Sequence, residues 1–425
     1  MLRSRLQRAG VAVALAGLVM GCNPVAAGRS MAHASSPVKL TFWFGPDTTG
    51  ATRQIVDNFN RLEAGKIKVD YQVQAASANT YFVNLRNALQ AHSTTPDVIG
   101  GDVIWPAQLV SSNLILPLDK YFPRSAQAKY LPGAILDLQY KGHIYGVPWF
   151  TNFGVIYYRK DLLAKYHMAP PTTWEQMQQE ALTLVHKGAV HEGFVFQGDQ
   201  YEGIVCNALE YINGAGGYIY GPQAASTTTQ AAKGLDTLRA MLSRHVAPPA
   251  VTTYQEAATN NDFVDGLAAF ARNWPYMWAN VQTSKKVAGK VGVLPMLHEP
   301  GQTGYSDLGG EVLNISKYSR HPNEAYQFIK YVAGVQGETT IATTGGEPPA
   351  LSAIYDNPQA RKINPWYVTV RPQLHILPRP TSPVYNDISL RMQKDFHGVL
   401  AGSMSSQQAV QDVESYVKVV EARFH

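Results

Sequence analysis

The residues able to do chemistry in this 425-residue chain do not assemble into a catalytic signature. There is no Gly-x-Ser-x-Gly, no His-Glu-x-x-His and no Gly-x-x-x-x-Gly-Lys-Ser/Thr. His191-Glu192 is followed by Gly193 and Phe194, with no second histidine one helical turn on, and the twelve histidines are scattered. No metal cluster and no cofactor is therefore expected. Gly214, Gly216, Gly217 and Gly221 lack dinucleotide spacing and follow a helical pattern, so they read as a helix stop and turn. Cys206 sits in the apolar stretch Ile204-Val205-Cys206-Asn207-Ala208-Leu209, the setting of a buried, inert thiol. Paired carboxylates are different. Glycoside hydrolysis needs two carboxyl groups about 5 to 10 Å apart, and that separation belongs to the fold, not to sequence spacing. A secreted glycoside hydrolase thus stays open as the alternative reading.

Hydrophobic residues make up 45% of the chain and charged residues 16%, against a soluble average of roughly 25% charged. A chain of this length and apolar content predicts two packed lobes. Two cysteines exclude a disulfide scaffold and any multi-thiolate metal site. The formal charge of +5 includes Arg3, Arg5 and Arg8, and residues 1–21 hold no acid. Without those residues 33 basic side chains face 31 acidic ones, a net of +2. That is too little to track nucleic-acid phosphates.

Basic Met1–Arg8, apolar Val11–Met20 and then Gly21-Cys22 have the layout of a secretory signal over residues 1–21. The apolar run is too short to span about 30 Å of hydrocarbon. Leu18-Val19-Met20-Gly21-Cys22 resembles a bacterial lipobox, which implies acylation of Cys22 and a chain anchored at the outer face of the cytoplasmic membrane. Residues 22–37, rich in Ala, Ser, Gly and Pro, read as a flexible tether.

From Val38 strands and helices alternate. Val38–Phe44 is a β-rich run ending at Gly45-Pro46, and Ile55, Phe59 and Leu62 then share a helical face. Ile67–Val73 alternates as a strand, Phe82, Leu85 and Leu89 mark a helix, and Pro96–Gly100 is a short buried strand. This is the pattern of parallel βαβ units, whose ligands lie beyond the carboxyl ends of strands. Asp102 follows such an end. A second unit carries a strand over Val155–Tyr158, a helix capped by Thr173 with Trp174 and Met177 inward, and a helix over Tyr201–Tyr211. Ser406–Arg423 predicts an amphipathic helix with Val410, Val413, Val417 and Val420 on its inner face.

Several stretches, in order, resemble the extracellular solute-binding proteins of carbohydrate ABC importers. They are Pro96-Asp97-Val98-Ile99 with Asp102, Leu114-Ile115-Leu116-Pro117-Leu118-Asp119, Tyr145-Gly146-Val147-Pro148-Trp149, Tyr157-Tyr158-Arg159-Lys160-Asp161-Leu162-Leu163 and Pro171-Thr172-Thr173-Trp174. Three more look like the trehalose/maltose-binding branch: Gly193–Gly198 with Gln200-Tyr201-Glu202-Gly203, Arg272-Asn273-Trp274-Pro275-Tyr276, and Arg379-Pro380 with Pro383 and Tyr385. The resemblance implies an α/β, two-lobed clam of the periplasmic-binding-protein type II, with a hinge and an interlobe ligand cleft. It also implies a monomer that hands a disaccharide or short oligosaccharide to the transmembrane subunits of an ABC permease. The expected division is a first lobe over 38–150, a second over 151–308, a return to the first over 309–365, and C-terminal helices over 366–425 packing on the second lobe.

A pyranose has an apolar C–H face and a rim of hydroxyls, so an aromatic plane and directional polar groups suit it. Trp274, flanked by Asn273 and Pro275, is the expected stacking platform. Asp102 and Glu202 would accept from hydroxyls, although Glu202 also reads as a first-turn acid favoured by the helix dipole. Asn152 would offer a donor and an acceptor. Arg379 is held extended between Pro378 and Pro380. Leu308-Gly309-Gly310-Glu311 matches the family's glycine pair, with Gly310 expected to let a backbone amide approach the ligand. Glu311 stands where the branch often has tryptophan, and Phe150 lacks the hydroxyl a tyrosine would bring. Asp47 and Tyr81 lie in segments that line the cleft in relatives. The cleft acids argue against an anionic ligand such as a phosphorylated polyol.

Overall fold

The first described strand already shows how the sequence builds a sheet. In Val38–Phe44 (β1) Leu40 and Phe42 turn into the core, and the strand pairs in parallel with Ile67–Val73 (β2) from Val38↔Ile67 to Phe44↔Val73. The computed structural model describes residues 36–136 and 138–423. Residues 1–35, with the expected signal, Cys22 and most of the tether, lie outside the described residues. On its other side β1 pairs in parallel with Val98–Asp102 (β3). Ser306–Ile315 (β9) then runs antiparallel to β3 from Glu311↔Asp102 to Ile315↔Val98. The far edge of β9 carries Val147–Phe153 (β4), and its first residues also pair with Ile376–Pro378 (β10).

Helices Ala51–Leu62 (α1), Ala78–Gln90 (α2), Pro106–Ser111 (α3) and Pro322–Val332 (α8) pack around this larger sheet. Phe328 of α8 meets Phe42 and Phe59 edge-on, at ring separations of 5.3 and 5.0 Å. Leu62 departs from its expected inward face. Ile55 and Phe59 are buried, but Leu62 is 65% exposed because it ends α1, where the chain turns back through Gly65 into β2.

The smaller sheet has the order Val291–Leu294 (β8), Val155–Arg159 (β5), Ala268–Asn273 (β7), Glu192–Val195 (β6). Its helices are Trp174–His186 (α4), Glu202–Gly214 (α5), Thr228–Ser243 (α6) and Glu256–Val264 (α7). Thr173 and Gln176 form a reciprocal capping box at the start of α4, and Trp174 stacks on Tyr211 of α5 at 4.0 Å. Tyr385–Leu400 (α9) packs on α5 and α6, and Ser406–Glu421 (α10) packs on α6 and α9 through buried Val410, Val413, Val417 and Val420. Cys206 is buried in α5, and burial pushes its thiol pKa well up.

The chain passes between sheets at Gly154, the single residue between β4 and β5, again on entering β9, and after β10. Gly154 is required by its neighbours. A Cβ there would lie 1.9 Å from Glu210 Oε1 and 2.5 Å from Arg272 Nη2. Those groups form a buried bidentate ion pair, Nη2–Oε1 at 2.5 Å and Nε–Oε2 at 2.8 Å, each side chain 1% exposed. Overpacking of this kind costs about 1–3 kcal/mol. Gly154→Ala is therefore expected to lower the melting temperature by several degrees in calorimetry, and an unchanged melt would contradict this account of the crossing.

Candidate ligand-binding cleft

A cavity of about 320 Å³ opens beyond the carboxyl end of β3 and is walled by elements of both sheets. At its floor lies Arg379, which follows β10 and is 5% exposed. Its Nη2 and Nη1 donate to the two carboxylate oxygens of Asp102 at 2.8 and 3.2 Å. Nη1 also donates to Glu202 Oε1 at 2.8 Å, and Nε lies 3.2 Å from Asp307 Oδ2 as an ion-pair contact. Three acids from the end of β3, the start of α5 and the start of β9 thus share one guanidinium. Burial opposes its charge, Asp102 and Asp307 favour it, and the net result holds its pKa well above the usual value. Asp307 itself is pushed up to about 8 by burial, with Arg379 pulling the other way.

This network changes what Glu202 offers. Its carboxylate accepts from Arg379, from Tyr385 Oη at 2.6 Å and from the Ser389 hydroxyl. At 5% exposure it anchors the floor, while part of Asp102, with 18% of its side chain exposed, faces the cavity.

Trp274 follows β7 and is half-buried. The Arg272 guanidinium lies over its ring, 4.0 Å from the centroid, within the range of a cation–π contact. Trp274 Nε1 donates to Glu256 Oε1 at 3.3 Å, and Tyr157 Oη donates to the carbonyls of Trp274 and Pro275 at 3.0 and 3.1 Å. The indole is thereby fixed from one face and one edge. Phe150 forms an apolar wall against Phe44, with rings edge-on at 6.5 Å. Asn152 Oδ1 accepts from the Phe153 amide at 2.9 Å, and the residue lines the cavity.

Asp47, Tyr81 and Gly310 also line the cavity, and the polar groups of the first two are engaged locally. Asp47 caps α1, accepting from the amides of Thr49, Gly50 and Thr52 at 2.8, 3.0 and 2.6 Å. Tyr81 Oη donates to the Gly100 and Trp43 carbonyls at 2.8 and 3.0 Å. Gly310 has φ +132°, and a Cβ there would meet the Phe150 carbonyl at 2.6 Å. Its backbone is thus packed closely on β4 at the cavity wall.

Glu311 lies directly opposite Asp102 across β3 and β9, and opposite Phe150 across β9 and β4. Burial first, then Asp102 and Glu347, push its pKa well above the carboxylate range, with Arg379 pulling down. All ten residues singled out by sequence therefore border one cavity. Glu256, Glu347, Asp307 and Ser389 were missed, and Tyr276 and Tyr385 stood in the quoted stretches without a role. Of these, Glu347 carried a readable signal, an acid presented between Gly345-Gly346 and Pro348-Pro349.

A family model described as bacterial extracellular solute-binding protein matches residues 45–339. A Deinococcus radiodurans protein named "Probable ABC transporter-binding protein" is 29% identical, covering 95% of this chain and 98% of its own. The galactooligosaccharide-binding protein of Bacillus subtilis is 23% identical over 92% of this chain and 91% of its own. Among solved structures, maltose-bound MalE3 of T. maritima is 30% identical with a TM-score of 0.85, covering 90% of this chain and 100% of that one. The likeness extends over the two-lobed α/β fold.

Removing one member of a buried charge network leaves the others uncompensated, at about 3–5 kcal/mol. Arg379→Met should destabilise the protein on that scale. Thermal melts should show a larger loss at pH 8 than at pH 5, where Asp307, freed of the guanidinium that lowers its pKa, takes up a proton.

Proposed function

Because this chain belongs to the bacterial extracellular solute-binding protein family, we propose that it captures a neutral disaccharide or short oligosaccharide for an ABC importer. The lobes close on the sugar, and the closed form delivers it unaltered to the membrane permease. One observation carries this reading. The Trp274 indole, covered on one side by Arg272, borders a cavity that it shares with Asp102, Asn152 and Glu311 from the other sheet. An apolar sugar face on the uncovered indole and hydroxyls toward the carboxyl and amide groups match that arrangement.

The maltose-bound neighbour and the galactooligosaccharide-binding relative support a saccharide of two or more units. A trehalose- or maltose-like ligand is the specific reading, with Glu311 as an additional polar contact. A monomer anchored through lipidated Cys22 completes the proposal, supported by the lipobox-like sequence before it. The carboxyl groups gathered in the cleft are what a glycoside hydrolase would also need. Incubation with disaccharides separates the two, since a binder returns its ligand intact and a hydrolase releases monosaccharide.

A thermal-shift screen against trehalose, maltose, sucrose and short oligosaccharides identifies the ligand, because a sugar selective for the folded form raises the melting temperature. With that sugar, Trp274→Ala should weaken binding at least tenfold in titration calorimetry while leaving the empty protein folded. Unchanged affinity would remove Trp274 from the site.

A further inference from the structure

The cleft holds more carboxyl groups than its one cation can match. Asp47, Asp102, Glu202, Glu256, Glu311 and Glu347 line it, and among the described residues Arg379 is the only lysine or arginine that does. Asp102 and Glu202 are met by Arg379, Asp47 by the start of α1, and Glu256 by the indole N–H. Glu311 and Glu347 differ. Neither side chain has a hydrogen-bond or ion-pair partner among the described residues, and Glu347 Oε2 is buried without one, in a residue 8% exposed.

Backbone register relates these two acids through Phe150. Glu311 opposes Asp102 on one side and Phe150 on the other, and Phe150 bridges to Pro349, two residues beyond Glu347. Like charges directly opposite across a strand pair destabilise it. Glu311 is in electrostatic reach of Asp102 on β3, Arg379 after β10, Tyr81 on α2 and Glu347. Glu347 in turn interacts electrostatically with Asp47 ahead of α1 and with Tyr157, Tyr276 and Tyr367.

Few lining donors are unengaged: among the described residues Asn152 Nδ2 and the Tyr201 hydroxyl have no protein acceptor, and most of the others are taken. Trp274 Nε1 and the hydroxyls of Tyr81 and Tyr276 donate to protein acceptors, and Arg379 Nε, Nη1 and Nη2 are all engaged. The ring and glycosidic oxygens of a saccharide accept only, and an ionised carboxylate has nothing to give them. Resting on the saccharide reading above, we propose that Glu311 and Glu347 meet the sugar as a proton-holding pair whose neutral carboxyl donates an O–H hydrogen bond to an acceptor-only oxygen. The pair selects a ligand that presents an ether oxygen between the β9 and 345–349 segments. Burial pushes both groups well above the carboxylate range, Asp102 adding to the effect on Glu311 and Asp47 to that on Glu347. Affinity is full at acidic pH, where the proton is already held, and falls as pH rises through the pair's titration, up to tenfold per unit for one proton.

The test uses the full chain and the sugar that gives the largest shift among trehalose, maltose, sucrose and maltotriose. Titration calorimetry from pH 5 to 9, in two buffers of different ionisation enthalpy, reads affinity and proton uptake together. The wild type should lose at least tenfold in affinity across that range and take up close to one proton per sugar at the alkaline end. Glu311→Gln, a permanently neutral carboxyl mimic, should keep the pH 5 affinity within about threefold and reduce both the slope and the uptake. Glu347→Gln supplies the same comparison should the first variant fold poorly. Affinity independent of pH with no proton exchange, or tenfold weaker binding by the glutamine variants at pH 5, overturns the inference while leaving saccharide capture standing. Absence of any sugar-induced shift or heat at every pH takes down the capture reading itself.

Discussion

A single buried guanidinium makes an acid-rich cleft compatible with a folded protein. Arg379 joins Asp102, Glu202 and Asp307, each delivered by a different element. Without it, several carboxyl groups would be withdrawn from water with no countercharge, a cost of several kcal/mol for each ion. Prolines on both sides hold the residue extended, so little conformational freedom remains to be lost when its planar fork is locked. Tyr385 and Ser389 on α9 complete the shell around Glu202, which ties the C-terminal helices to the cleft floor.

A second buried pair, Arg272 with Glu210, serves the crossing and the indole together. Its carboxylate fills the space that a side chain at residue 154 would need, and its guanidinium backs the ring of Trp274. Gln197 accepts from Arg272 Nη1 at 3.1 Å, and Glu210 Oε1 accepts from the Asp307 amide at 3.3 Å. The two ion-pair systems therefore meet at Asp307. Rigidity of the platform and position of the floor share one origin.

Much of this was legible from residue order. The strand ending before Asp102, the cap at Thr173, the glycine stop after α5 and the valine stripe of α10 all follow from local rules. Leu62 was misread because periodicity describes a face and says nothing about where the sheet beneath it ends. Glu202 shows a subtler gap. Its place at a helix start was visible, but Tyr385 and Ser389, more than 180 residues later, decide that its carboxylate is occupied. Asp47 likewise reads as a cleft acid until its bonds to the Thr49 and Thr52 amides around the start of α1 are seen.

Local sequence thus determined which residues stand at strand ends, caps and constrained loops, because those positions depend on neighbours a few residues away. Tertiary structure alone decided which acids are paired and which are not. Asp102 and Arg379 are 277 residues apart yet form a bidentate pair, while Glu311, opposite Asp102 on the adjacent strand, has none among the described residues. Burial and the company of other charges govern a carboxyl group, and neither is a property of the residues beside it in the chain.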